Sequence, residues 1–418
     1  MTRDANLKSR AAKAFPNGIY GHLSTRAMPE NYPQFFSSAK GVRMIGTDGK
    51  AYIDYMCAFG LNLFGYADDE IDEAFIKQMR QADTVTGASA VMVDYAERFT
   101  GLIKHADWAI FVKNGTDATT LGAMIARAHT KRDKIIVAQG AYHGTAAWSQ
   151  AGVGTTTAER LDRLSCIYND VESLERAVAE AGDNLAAIFA TPFKHDIFVD
   201  QAEPDAAYAR RARDLCDQTG ALLVVDDVRA GFKLARDCSW SVVGVEPDLS
   251  AWGKCIANGH PISALLGSDK VRKAATEVRV TGSFWFQAGP MAAGLVTLDR
   301  IVNSQYLENI QMLGARLREG LSAEAAKHGV GLRQTGPATM PLFLFDNDPD
   351  LRKGYFWCAE MVERGIYMHP FHNMFISNAL TIADVDETIQ AAGEAFQLLA
   401  RAEATLPPNT RITIPVAT

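Results

Sequence analysis

Short apolar runs recur through the middle of this 418-residue chain, and they constrain its fold more than any other feature. They are Trp108-Ala109-Ile110-Phe111-Val112, Lys134-Ile135-Ile136-Val137, Leu185-Ala186-Ala187-Ile188-Phe189, Ala221-Leu222-Leu223-Val224-Val225 and Ile262-Ser263-Ala264-Leu265-Leu266. Too short for buried helices and lacking strict polar alternation, they predict strands covered on both faces. Amphipathic segments such as Val171 to Ala181 and Ala206 to Thr219 lie between them. The chain therefore alternates strand and helix, which predicts an α/β region with a mostly parallel sheet.

The flanks read differently. Val42 to Gly46 and Lys50 to Asp54 enclose Asp48-Gly49, a dipeptide suited to the positive φ of a tight turn, so a hairpin is expected, preceded by an arm. Beyond about residue 300 the order becomes a helix (Tyr306 to His328), strands at Gly331 to Gln334 and Met340 to Phe345, and a second helix. Strands at Ile366 to His369 and Met374 to Ser377 follow, then a final helix with Asp384 as N-cap. The expected division is an arm and hairpin at 1–60 belonging to a small domain, a large domain at 61–300 and an α+β remainder at 301–418.

Composition narrows the function. With 42 Lys+Arg against 49 Asp+Glu the net charge is -7, which leaves no general basic field for nucleic acid or an anionic membrane. No apolar run reaches the ~18 residues of a membrane span. Any anion bound here must meet a local site. The six cysteines, Cys57, Cys166, Cys216, Cys238, Cys255 and Cys358, form no CxxC pair and read as buried thiols in a reducing compartment. With no apolar segment after Met1 to Phe15, a cytoplasmic protein is expected.

Five features along the α/β region carry chemistry, and each has two readings on its own. Lys113-Asn114-Gly115-Thr116-Asp117-Ala118 joins a strand to a helix and is either a phosphate cradle of helix-terminal amides or an ordinary capped turn. Tyr142, in Ala141-Tyr142-His143-Gly144, either stacks on a planar ring or walls the core. Asp226, ending a buried strand, either neutralises a cation or caps a helix. Lys254, after Asp248 to Gly253, is either a buried amine of lowered pKa or an exposed loop lysine. Thr281 to Gln287 sets Ser283 among Phe284, Trp285 and Phe286, which line a pocket or merely pack.

In this order, with Asp226 and Lys254 28 residues apart, the features fit one cofactor. The sequence resembles the class III aminotransferases of fold type I, which use pyridoxal 5′-phosphate, and among them the branch containing glutamate-1-semialdehyde aminomutase. The resemblance runs from Phe15-Pro16-Asn17-Gly18 through Asp48 to Asp54, Asn114 to Ala118, Tyr142-His143-Gly144, Val225 to Phe232, Pro247-Asp248-Leu249 and Gly253-Lys254 to Met291-Ala292-Ala293-Gly294. It implies a seven-stranded sheet between helices in the large domain, and a homodimer with its active site at the interface. It also implies roles: Lys254 condenses with the cofactor aldehyde as a Schiff base, and Asp226 bonds the pyridine nitrogen. Val228 and Tyr142 lie on the two ring faces, and Gly115 and Thr116 hold the phosphate. Ser283 takes the place of a threonine donated to the phosphate by the neighbouring subunit. The implied reaction moves an amino group from a small-molecule donor to a carbonyl acceptor.

Departures fall where the family recognises substrate. In Gly18 to Arg26, Arg26 stands two residues late for the family's carboxylate-binding arginine. The family's Glu-Pro-Val becomes Thr191-Pro192-Phe193, followed by Lys194-His195-Asp196, and its Phe-Glu-Ala becomes His372-Asn373-Met374. These changes disfavour strict glutamate-1-semialdehyde isomerisation and favour an aminotransferase acting on a different amine, for which an apolar pocket would leave room for a bulky or long-chain substrate. Tyr20, Phe59, Trp285 and Phe286 are the apolar pocket candidates, with His22, Arg26 and Lys194 as polar ones; core packing is the other reading of the aromatics. His369 and His372 lack a third ligand at suitable spacing, so no metal is expected. The alternatives to an aminotransferase are an aminomutase and a non-catalytic binding protein that kept the fold.

Overall fold

The computed structural model describes residues 2–16, 18–150, 154–194 and 198–412, and for His22 the backbone only. The chain forms two compact units, one of Met1–Asp68, Ile197–Gln201 and Glu308–Thr418, the other of Asp69–Asp196 and Ala202–Leu307.

The first unit begins with the helix Arg3–Ala14, capped by the Thr2 hydroxyl, which accepts from the Ala5 amide. Strands β1 (Phe36–Lys40), β2 (Arg43–Gly46) and β3 (Ala51–Asp54) follow, and β2 and β3 form the expected hairpin with Gly49 at φ 86°. The stretch read as an arm thus holds a helix and a strand, β1, antiparallel to β2. Phe-Ser-Ser-Ala-Lys carries no apolar alternation, because β1 is an edge strand whose side chains are half-buried or exposed.

The second unit is built on one seven-stranded sheet. Its strands are β4 (Trp108–Val112), β5 (Lys134–Ala138), β6 (Arg163–Cys166), β7 (Leu185–Ala190), β8 (Leu222–Asp226), β9 (Leu249–Trp252) and β10 (Ser263–Gly267), in the order β4-β10-β9-β8-β7-β5-β6. Every apolar run named above is one of these strands, and β7 and β8 are buried along their whole length. Each large aliphatic side chain so buried contributes about 1.5–3 kcal/mol. Only β10 runs against its neighbours, β9 and β4, so β4 points the same way as β8 and β9. The segments leaving β4, β5, β8 and β9 therefore emerge along one edge of the sheet, where α/β folds place ligands.

Returning to the first unit, β11 (Leu332–Thr335) pairs with β12 (Leu342–Phe345), and β13 (Ile366–Tyr367) adds parallel to β3. Two expectations fail in detail. Met374 to Ser377 is no strand: the amides of Met374 and Ile376 bond the carbonyls of Pro341 and Thr339 and that of Phe375 bonds Tyr55, single contacts to two segments that form no continuous ladder. The last helix, Ile382–Ala402, is capped by Thr381, and Asp384 closes a capping box by accepting from the Thr381 amide. Among the described residues no helix is long and apolar enough to cross a membrane.

Candidate active site

The constellation lies in the second unit and starts from β8. Asp226 ends this strand buried, and a buried carboxylate needs partners. Its Oδ2 lies 2.8 Å from His143 Nδ1, and its Oδ1 accepts from the Val228 amide at 3.1 Å. His143 is itself 1% exposed, faces Trp148 across parallel rings and meets Phe189 edge-on. Its backbone carbonyl accepts from the Thr119 hydroxyl at 2.7 Å. Packing and that bond fix the imidazole against Asp226, while His143 Nε2 is buried with no hydrogen-bond partner among the described residues. The motif Ala141-Tyr142-His143-Gly144 alone assigns His143 no role. The available signal was its place one residue after Tyr142, at the edge where β5 ends.

From β4 the chain turns at Asn114 into the helix Gly115–Thr130. Asp117 closes the cap by accepting from the Asn114 amide at 3.0 Å, so the cap reading and the cradle reading describe the same turn. The amides of Gly115 and Thr116, in the first helical turn, have no intrahelical acceptor. Glycine is required here: a Cβ on Gly115 would sit 2.7 Å from Val228 Cγ1, and one on Gly144, at φ +105°, would sit 2.5 Å from Thr116 Oγ1. Val228 is wedged between this helix start and the turn at Gly253, where a Cβ would meet the same Cγ1 at 3.4 Å.

Lys254 follows β9 and is half-buried, which removes the exposed-loop reading. Its backbone is left-handed, at φ 53°, a conformation that costs a non-glycine residue about 1–2 kcal/mol. Burial, reinforced by the Arg229 and Lys233 cations, pulls its amine down to about 7, against the opposing pull of Cys255 and Asp226. Arg229 is lowered to about 10 by burial, opposed by Asp226 and Tyr142. Tyr142 is 52% exposed, and its phenol is raised by burial, which the Arg229 charge opposes. Gly115, Thr116, Asp226, Val228 and Lys254 are thus gathered at one sheet edge.

The remaining candidates are not gathered in the same way. Ser283, Phe284 and Phe286 are exposed, whereas Trp285 is half-buried against the core of the second unit. Lys194 is half-buried and bridges through its backbone to Ala202, while His195 and Asp196 lie outside the described residues. In the first unit Tyr20 and Arg26 are exposed, and the side chain of His22 lies outside the description. Phe59 occupies a left-handed turn in which Cys57, Ala58, Phe59 and Gly60 all have positive φ. Asp54 holds that turn by accepting from the Met56 and Cys57 amides and the Tyr66 hydroxyl. Phe59 meets His372 edge-on at 5.4 Å. The backbone amide of His372 donates to His369 Nδ1, and the Nδ1 of His372 lies 2.7 Å from the Asn373 carbonyl; among the described residues no metal-binding cluster occurs.

The chain is 52% identical over 409 residues to the aminopentol aminotransferase of Sphingopyxis macrogoltabida, covering 98% of this chain and 97% of that protein. It is 30% identical to a glutamate-1-semialdehyde 2,1-aminomutase 2 of Bacillus velezensis, over 94% of this chain and 99% of that one. The solved PLP internal aldimine form of the Sphingopyxis sp. MTA144 FumI protein superposes with a TM-score of 0.96 at 52% identity, covering 98% of this chain and 99% of that one. The family model for "Aminotransferase class-III" matches residues 26–399. A seven-stranded sheet with its chemistry at one edge, and a family match over most of its length, make this chain a fold type I protein and a member of the class III aminotransferases.

Proposed function

We propose that the protein is a pyridoxal-phosphate-dependent aminotransferase that takes the amino group of a bulky amine, of the aminopentol kind, and passes it to a carbonyl acceptor. The observation that carries the reading is the meeting of a near-neutral Lys254 amine with the buried Asp226–His143 pair at one strand edge. The residues fit the cofactor. First-turn amides and the Thr116 hydroxyl are a donor set for a phosphate, and glycines at 115 and 144 bring backbone close where a Cβ would collide. When bound, the cofactor supplies an aldehyde that condenses with amines and a ring that accepts the electrons released when a C–H bond breaks.

The chain's own residues then have distinct tasks. Gly115 and Thr116 hold the phosphate, so an acidic protein needs no basic field for it. Asp226, fixed by His143, puts a negative charge at the ring nitrogen; Val228 and Tyr142 pack on the ring faces. Lys254 Nζ, lowered to about 7, is divided between its two protonation states near neutrality and can take a proton from the substrate carbon and return it. Residues 61–300 carry this machinery, with 1–60 and 301–418 forming the smaller domain. Ser283, exposed in this chain, reaches the phosphate of a second copy in a homodimer. Tyr20, Phe59, Trp285 and Phe286, with His22, Arg26 and Lys194, set the choice of amine. Six buried free thiols support a cytoplasmic setting.

The relative named for aminopentol, at 52% identity, supports the bulky amine over the aminomutase reading, since the aminomutases stand at about 30%. The test is to load the protein with pyridoxal phosphate and mix it with an aminopentol, simple amino acids and glutamate 1-semialdehyde, following the cofactor's absorbance. The aminopentol should convert the band fastest, and Lys254→Ala should abolish both the band and turnover. A Lys254→Ala variant that turns over normally would sink the assignment.

A further inference from the structure

A second lysine lies deeper than Lys254. Lys233, in the turn after β8, is 1% exposed, and its Nζ donates to the Arg229 carbonyl at 3.1 Å and to Cys255 Sγ at 3.3 Å. Lysine normally carries its charge to the surface on a flexible stem, and burying the head is costly without partners. An apolar side chain of the same length would fill this space without that cost, so the amine itself calls for an explanation. Cys255, equally buried, donates from its thiol to the Gly231 carbonyl at 3.1 Å. A chain of contacts therefore laces the turn after β8 to the turn after β9, and its anchor on the second turn is the residue next to Lys254.

We propose that Lys233 and Cys255 are a positioning pair for Lys254: the thiol ties down the left-handed turn that presents the reacting lysine, and the buried ammonium is a fixed positive charge behind it. The inference rests on the reading of Lys254 given above. Lys254 holds φ 53° only if its surroundings enforce it, and the thiol contact to Gly231 acts one residue away. The charged and titratable groups facing Lys254 are Arg229 and Lys233 from the β8 turn, Asp226 at the strand end and Cys255 beside it. Cys255 and Asp226 favour the protonated amine, whereas Arg229 and Lys233 oppose it. Asp226 is shared with His143, which leaves the two cations as the opposing charges that keep Lys254 ready to accept a proton at neutral pH.

The experiment labels the full-length protein, freed of cofactor, with brief pulses of acetic anhydride across a pH series. Acetylation of Lys254 is read by peptide mass spectrometry, with the exposed Lys131 as internal reference. The wild-type midpoint should lie at about 7. Lys233→Met should move it up by about one pH unit, while Lys233→Arg, which keeps the charge, should stay within about 0.3 of wild type. Cys255→Ala should move it the other way, downward, because the pull of the neighbouring thiol toward the protonated amine is lost. In the loaded enzyme at pH 7, Lys233→Met should lower kcat several-fold with KM little changed. A Lys233→Met midpoint equal to that of Lys233→Arg overturns the proposal. If thermal unfolding shows that Lys233→Met does not fold, an unchanged midpoint in Cys255→Ala overturns it instead. Labelling reports the Lys254 amine whether or not the protein transaminates, so failure here and failure of the aminotransferase reading are separate results.

Discussion

Replacing Gly115 by alanine places one methyl group where the helix start, Val228 and the cofactor site converge. The new Cβ would lie 2.7 Å from Val228 Cγ1 and 3.0 Å from Cγ2. The nearer contact is roughly 0.7 Å inside ordinary van der Waals distance, on the repulsive wall of the potential. Val228 has little room to retreat: β-branching restricts its χ1, and Gly253 lies on its other side, with a built Cβ 3.4 Å from the same Cγ1. Overpacking of this kind costs about 1–3 kcal/mol. Gly115 has helical φ, and on propensity alone alanine would be favoured by up to about 1 kcal/mol, so the two effects have opposite signs. Gly115→Ala should therefore lower the thermal midpoint by a few degrees and weaken retention of pyridoxal phosphate. The decisive measurement is the cycle with Val228→Ala, which removes both γ carbons. In that background Gly115→Ala should be neutral or stabilising, giving a coupling of about 1–3 kcal/mol. Additive effects, or a single variant that melts higher than wild type, would refute the steric argument.

Asp226→Asn keeps the shape but removes the charge, so kcat should fall by roughly a hundredfold or more while pyridoxal phosphate still binds, as steady-state kinetics and cofactor absorbance will report. Asp227 is buried, with Oδ2 accepting from the Ser239 amide and Oδ1 unpaired among the described residues, and burial pushes it up to about 6 from 3.8. Its folded-state pKa exceeds the unfolded one, so its contribution to stability is complete below about pH 4 and lost as pH rises through about 6. The stability of Asp227→Asn relative to wild type should thus improve by about 3 kcal/mol between pH 4 and 8; a pH-independent difference by chemical denaturation would refute this. Gly60 combines φ 85° with a built Cβ 2.6 Å from the Phe375 ring, so Gly60→Ala should destabilise by more than about 2 kcal/mol. Gly49→Ala, strained in φ but in open space, should cost less in the same melting assay.

Much of the architecture is written locally. The runs that became β4, β5, β7, β8 and β10 are legible because a strand covered on both faces needs consecutive apolar residues. β1 and β6 escape the same reading: each borders its sheet, and polar or charged residues occupy part of its length. Asp384 marks the helix start in the sequence, yet the N-cap is Thr381 and Asp384 stands at the third helical position, because the two serve one capping box reciprocally. Met374 to Ser377 has a strand's composition, yet its amides alternate between two segments, Thr339 to Pro341 and Tyr55, and build no continuous ladder with either.

The site divides along the same line. Chain order is enough to show which residue types stand at the ends of which strands: glycine and threonine after β4, tyrosine and histidine after β5, aspartate at β8 and lysine after β9. Tertiary structure alone decided that Lys254 is half-buried with an amine lowered to about 7, that His143 reaches Asp226 across 83 residues, and that Lys233 is sealed against Cys255. The physical reason is that apolar periodicity is a property of neighbours in the chain, whereas burial and charge depend on neighbours in space. Those are set by the strand order β4-β10-β9-β8-β7-β5-β6, which is not the order of the sequence.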